Sequence, residues 1–135
     1  MHGVTFTVKG LPPRKNGANS VWSKKNPDGK RLEKLREAAT KAMDGHAPFT
    51  SQIYLRFDVR VTKVDAGDLD TFVAGVCDGL QGKPKSMSED KLPEKLRGNC
   101  GPIAFEDDSA VMSICASKTI VSGAGKESYT VTVGV

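Results

Sequence analysis

Between Ile53 and Thr62 apolar and polar side chains alternate without a break. Ile53, Leu55, Phe57, Val59 and Val61 stand against Tyr54, Arg56, Asp58, Arg60 and Thr62. A period of two sustained this long is a β-strand, and only one of its faces can be buried. The chain must therefore build a sheet with one face on a core and the other turned to solvent or ligand. A shorter alternation, Val4, Phe6 and Val8 against Thr5 and Thr7, stops at Lys9-Gly10-Leu11-Pro12-Pro13. Two further strands are predicted over 110–121 and 128–134, joined at Ser122-Gly123-Ala124-Gly125.

Helical spacing fills the gaps between strands. Leu32, Leu35, Ala39 and Met43 share one face of a helix from Gly29 to Asp44, with Gly45 as its stop. Leu69, Val73, Val76, Cys77 and Leu80 form the apolar stripe of a second helix over 68–81. The order β-α-β-α-β-β predicts an α+β fold, a mixed sheet with both helices packed on one face. With 135 residues and no linker separating two cores, 1–135 reads as a single domain. Two segments lie outside regular elements. Residues 14–30 are a basic loop holding the one tryptophan, Trp22. Residues 82–102 are a long inserted loop with five basic residues and one helical turn near 89–96.

Charge is divided unevenly along the chain. The net +4 conceals 13 basic and 5 acidic side chains in residues 1–63, and 7 basic and 11 acidic in residues 64–135. The first part is +8 and the second −4, which points to a polyanionic partner for the basic part. In and beside 14–30, Arg14, Lys15, Lys24, Lys25, Lys30 and Arg31 surround Asn16, Asn19 and Trp22. Such a mixture grips phosphates and stacks on an exposed base, or else is a solvated loop.

Several chemistries are excluded. Gly123-Ala124-Gly125-Lys126 lacks the upstream Gly and the following Ser or Thr of a phosphate-binding loop, so it is a hairpin turn. No G-x-S-x-G or H-E-x-x-H spacing occurs. Cys77, Cys100 and Cys115, with only His2 and His46 to assist, make no zinc pattern. Cys77 and Cys115 sit in apolar runs and are expected to be buried thiols. No apolar stretch is long enough for a signal peptide or membrane span, so a reduced, cytoplasmic setting is expected.

Carboxylates remain. Asp65, Asp68 and Asp70 cluster where the long strand gives way to the second helix, and Glu106-Asp107-Asp108 follows the apolar Ile103-Ala104-Phe105. Asp at a helix start also serves as an N-cap or complements the helix dipole. Adjacent acids commonly just face water. Together, two acidic knots at the mouths of regular elements suit a hard cation such as Mg²⁺, which takes a few carboxylates, water and substrate phosphate.

Taken in order, these residues resemble the RusA family of Holliday junction resolvases. Leu11-Pro12-Pro13-Arg14-Lys15-Asn16 is similar to the family's Pro-Pro turn followed by Asn. Asp68-Leu69-Asp70, then Cys77-Asp78-Gly79-Leu80, then Phe105-Glu106-Asp107-Asp108, Val111 and Lys118 follow its D-L-D-N, D-A-L and D-D pattern, with the strand that reaches a Lys. The resemblance implies that Asp68, Asp70 and Asp108 bind catalytic Mg²⁺, or Mn²⁺ in its place, with Asp107 beside them. It implies that Lys118 contacts a phosphate, and that Arg14, Lys15, Asn16, Lys24, Lys25 and Lys30 meet DNA. It further implies a homodimer that cuts paired strands of a four-way junction. Gly67, Thr71 and Ala74 depart from the family pattern, which has a basic residue, Asn and Lys at those positions. A binding protein without useful turnover, and a nuclease preferring flaps and forks, are the alternatives.

Overall fold

The computed structural model describes residues 3–135, which leaves Met1 and His2 outside the described residues. Six main elements follow one another: β1 (Gly3–Lys9), α1 (Gly29–Met43), β2 (Ile53–Val61), α2 (Leu69–Leu80), β3 (Val111–Ile120) and β4 (Ser128–Gly134). They form one α+β domain around a four-stranded mixed sheet of order β1-β4-β2-β3. Strand β2 runs parallel to β3 and antiparallel to β4, and β4 is antiparallel to β1.

The alternation in β2 sets the layers. Ile53, Leu55, Phe57, Val59 and Val61 are all buried against Phe6, Val8, Tyr129, Val131 and Val133 of the neighbouring strands. Leu35, Ala39 and Met43 of α1 and Phe72, Val76 and Leu80 of α2 close this core. The opposite sheet face is a polar lattice. Thr5 bonds Thr132 and Thr7 bonds Thr130, each at 2.9 Å. Arg60 donates to Ser128 Oγ at 2.7 Å and Thr130 Oγ1 at 2.8 Å.

Helix α1 begins at Gly29 as expected and ends one residue early, with Asp44 in the left-handed region (φ 47°) and Gly45 following at φ 80°. Helix α2 packs its expected stripe against the core and adds Phe72, which that stripe left out. Phe72, Val76 and Leu80 enter the core, while Leu69 and Val73 are only half-buried. Two of its glycines permit close packing. A Cβ on Gly75 would lie 1.9 Å from the Pro13 carbonyl oxygen, and one on Gly79 2.7 Å from Leu35 Cδ2. The Pro12-Pro13 turn is thereby drawn onto α2, which brings the basic loop beside the acidic helix.

Both irregular segments are more built than the sequence suggested. Trp22 neither stacks outward nor waves in solvent: it is 1 % exposed. With Val21, Leu32, Leu92 and Leu96 it forms a second core between the basic loop and the insertion. Its Nε1–H donates to the Asp78 carbonyl at 2.9 Å, and the Arg36 guanidinium lies over its ring at 4.4 Å. The insertion holds two short 3₁₀ turns, Glu89–Lys91 and Glu94–Leu96, in place of one helical turn. Cys77 is buried, but Cys115 is exposed because it pairs with Arg56 on the polar sheet face of edge strand β3.

Candidate functional site

Asp68 occupies the N-cap position of α2 with extended backbone, yet its side chain makes no capping hydrogen bond. The capping role that would explain this residue structurally is thus not filled. Asp68 instead borders a cleft with Arg14, Lys15, Asn16, Asp65 and Thr71. Asp70, in the first turn, accepts from the Thr71 N–H at 2.9 Å and faces the other way, into a groove between α2 and β3. Asp108 lines that same groove, as do Ala74, Val73, Ile114 and Ala116.

Asp108 starts a short 3₁₀ turn leading into β3, capped by Asp107, whose Oδ1 accepts from the Ser109 N–H at 2.9 Å. That contact, followed by the Ser109 hydroxyl, Asp108 and Lys85, holds the Asp107 carboxyl below its usual range. The Asp108 N–H donates to Gln81 Oε1 at 3.2 Å, which fixes the acidic turn to the end of α2. Gln81 in turn reaches Asp78 Oδ1 at 3.3 Å through its Nε2.

Asp78 belongs to the quoted motif but has no role among the site residues expected from it. It stands four and eight residues after Ala74 and Asp70, so all three share one helix face. Burial raises its carboxyl above the ordinary value, and the nearby Asp108 charge adds to this, against the Gln81 amide and Lys15. The same burial, with Asp108 and Asp78, pushes the Cys77 thiol up to about 12. Asp108 therefore acts electrostatically on the second half of α2 while sharing a groove with Asp70 at its start.

The four predicted acids do not gather into one cage. Among the described residues no three His, Cys, Asp or Glu side chains are grouped to hold a metal ion. Asp70 and Asp108 face one groove, Asp68 lies around the helix start, and Asp107 lines a neighbouring cleft. Two carboxylates on one groove nonetheless suit Mg²⁺, which commonly takes only one or two from a protein and completes its shell with water and phosphate.

The predicted cations divide by what they touch. Lys118 Nζ donates to the carbonyls of Val64 at 2.9 Å and Gly67 at 3.1 Å, so it braces the turn that presents Asp68. Arg14 bonds Asp28 through its backbone N–H and Nε, reaches the Ala66 carbonyl at 3.3 Å, and lies over the Phe72 ring. It fastens the basic loop to the same turn. Lys15, Asn16, Lys24, Lys25 and Lys30 are exposed. The loop beneath them is fixed by Asn26, whose Nδ2 donates to the Arg14 and Ser20 carbonyls at 2.7 and 3.2 Å.

Gly67 is required on steric grounds. A Cβ there would fall 2.3 Å from the Phe72 ring, which is fully buried and unable to yield. Neither the family models nor the curated proteins give a match to this chain.

Proposed function

We propose that this protein is a Mg²⁺-dependent, structure-selective endodeoxyribonuclease of the RusA type. It would resolve four-way DNA junctions as a homodimer, in cytoplasmic recombination and repair. The observation behind this reading is the sharing of one groove by Asp70 and Asp108, two acids brought together from distant parts of the sequence. Asp70 and Asp108 would hold the ion, with Asp68 and Asp107 flanking it. When bound, Mg²⁺ activates water and offsets charge on the scissile phosphate.

The chain's own residues provide the rest. Lys15, Asn16, Lys24, Lys25 and Lys30 offer exposed donors to phosphates, the contacts that position a duplex without reading its sequence. Two of the three Lys118 donors meet carbonyls, which leaves one for a substrate oxygen. Gln81 holds the backbone of Asp108. No described helix is long and apolar enough to cross a membrane.

Ala74 favours a second reading. Its short side chain leaves the groove between Asp70 and Asp108 without a cation on α2, which suits a branched-DNA-binding protein with little turnover. The deciding experiment sets labelled four-way, forked, flapped and linear DNA against the protein, with Mg²⁺, Mn²⁺ or chelator. The nuclease reading expects metal-dependent paired cuts in the four-way junction. Asp70→Asn and Asp108→Asn should each lower cleavage at least 100-fold, on the order of one lost catalytic electrostatic contact, while junction binding survives. Wild-type cutting rates in either variant would remove the site assignment. Metal-independent binding with no cutting by the wild type would establish the binding reading.

A further inference from the structure

The insertion and the acidic turn, with Ser20 and Trp22 of the basic loop, enclose a cleft of about 710 Å³ separate from the groove of Asp70 and Asp108. Lys83 and Lys85 line it together with Asp78, Gln81, Glu106 and Asp107. It adjoins the acidic groove directly, because Gln81 lines the cleft and also binds the Asp108 N–H. Its walls are tied by backbone contacts. Lys83 N–H donates to the Cys100 carbonyl at 2.9 Å, and the N–H groups of Ile103 and Ala104 reach the Leu80 carbonyl at 3.0 and 3.1 Å. Arg36 fastens both rims, donating to Gly79 O at 2.8 Å on one side and Gly101 O at 2.6 Å on the other.

The cations of the insertion are not equivalent. Arg97 is engaged by the carbonyls of Leu92 and Asp90. Lys95 borders a separate hollow beside Glu33 and Glu37 of α1. Lys83 and Lys85 alone among the insertion's five cations line this cleft, and Lys85 is close enough to Asp107 to draw its carboxyl down, behind the larger effect of Ser109.

We propose that this cleft is the path of a single unpaired DNA strand leaving the acidic groove, with Lys83 and Lys85 as its phosphate contacts. The inference rests on the nuclease reading of that groove and adds where the displaced strand runs. The volume lies within the range of sites that enclose a nucleotide-sized ligand and is far too small for a duplex. Two lysines, Lys83 and Lys85, two residues apart on the cleft lining, suit successive phosphates. The carboxylates beside them repel phosphate and accept from base amino groups, which separates backbone from bases within the cleft.

The test is fluorescence anisotropy in chelator with four-way junction, forked, single-stranded and fully duplex DNA, each titrated with salt. The proteins are wild type, the double variant Lys83→Ala/Lys85→Ala, its Arg/Arg counterpart, and a Lys34→Ala/Lys41→Ala control on α1. Two single-strand phosphates contribute a log–log salt slope of about 1.4, or roughly 25-fold in affinity at 0.1 M salt. The Ala/Ala variant should lose that much on forked and single-stranded DNA and keep its duplex binding. Arg/Arg should restore the slope, the α1 control should match wild type, and all four should melt alike. A wild-type slope in the Ala/Ala variant overturns the strand path and leaves the nuclease reading standing. A wild type that binds no DNA overturns both.

Discussion

Asp78 is a carboxylate kept partly buried beside a second carboxylate, Asp108, an arrangement that disfavours its charge. The linkage sign follows from the raised native value. Above the ordinary carboxyl value of 3.8 the unfolded chain loses this proton while the native state still holds it. Stability therefore falls as pH rises through the window from 3.8 to the raised native value, and stays lower above it. Asp78→Asn removes the penalty and keeps an oxygen for the Gln81 amide. In chelator at pH 7 the variant should melt at a higher temperature than wild type. The gain should shrink as pH falls through the window and be gone below about 4. A variant no more stable than wild type at pH 7 would mean that Asp78 bears no such strain. Gly67 and Gly75 are constrained at the same scale by the Phe72 ring and the Pro13 carbonyl.

Regular elements were legible in proportion to their periodicity. The alternation of β2 and the stripe of α1 gave bounds within a residue, and β4 matches its expected span of 128–134. The insertion was opaque because Leu92 and Leu96 stand alone among Pro, Lys and Glu, with no repeat to mark them as core. Trp22 was opaque for the same reason: its partners come from the insertion and from Leu32, far apart in sequence. In α2 part of the apolar stripe, Leu69 and Val73, also lines the groove, which a single-helix pattern does not separate. The acidic knots were visible, but not that Asp68 and Asp70 would face different clefts. Leu92→Ala tests the insertion as a folded element. Truncating a fully buried Leu costs about 2–5 kcal/mol when the site cannot collapse. Urea unfolding should show a lowered midpoint, and amide exchange should quicken across 82–102 before it does in β2. An unchanged midpoint with unchanged exchange would show that the second core contributes nothing to stability.

At the scale of the whole molecule, the unresolved surface is β3. It is an edge strand of 10 residues with no partner on its outer side among the described residues. Edge strands in monomeric proteins are usually shortened, bulged, covered or charged. Here an irregularity in the pairing skips Met112 near the strand's start, yet Met112, Ile114 and Ile120 are 67 %, 49 % and 52 % exposed, and the one charged residue of the strand, Lys118, is drawn to the Val64 and Gly67 carbonyls. Ile114 and Ala116 continue into the groove with Leu69 and Val73, so an apolar strip runs from the edge to Asp70 and Asp108. A second copy of the chain is the occupant that the proposed paired cutting requires, and this strip is where it would bury apolar surface next to both acidic sites. The charge split then takes a spatial form. Lys15, Lys24 and Lys25 of the first part lie on the basic loop, while Asp70 and Asp108 of the second part border the strip, where repulsion between copies would be relieved by a bound cation. Sedimentation at micromolar concentration should give a dimer for the wild type, with Mg²⁺ tightening it. Ile114→Asp should give a monomer that melts within a few degrees of wild type and binds junctions more weakly. In cleavage it should leave single nicks where the wild type makes paired cuts. A monomeric wild type, or a dimer untouched by Ile114→Asp, would place the contact elsewhere and detach β3 from the proposed mechanism.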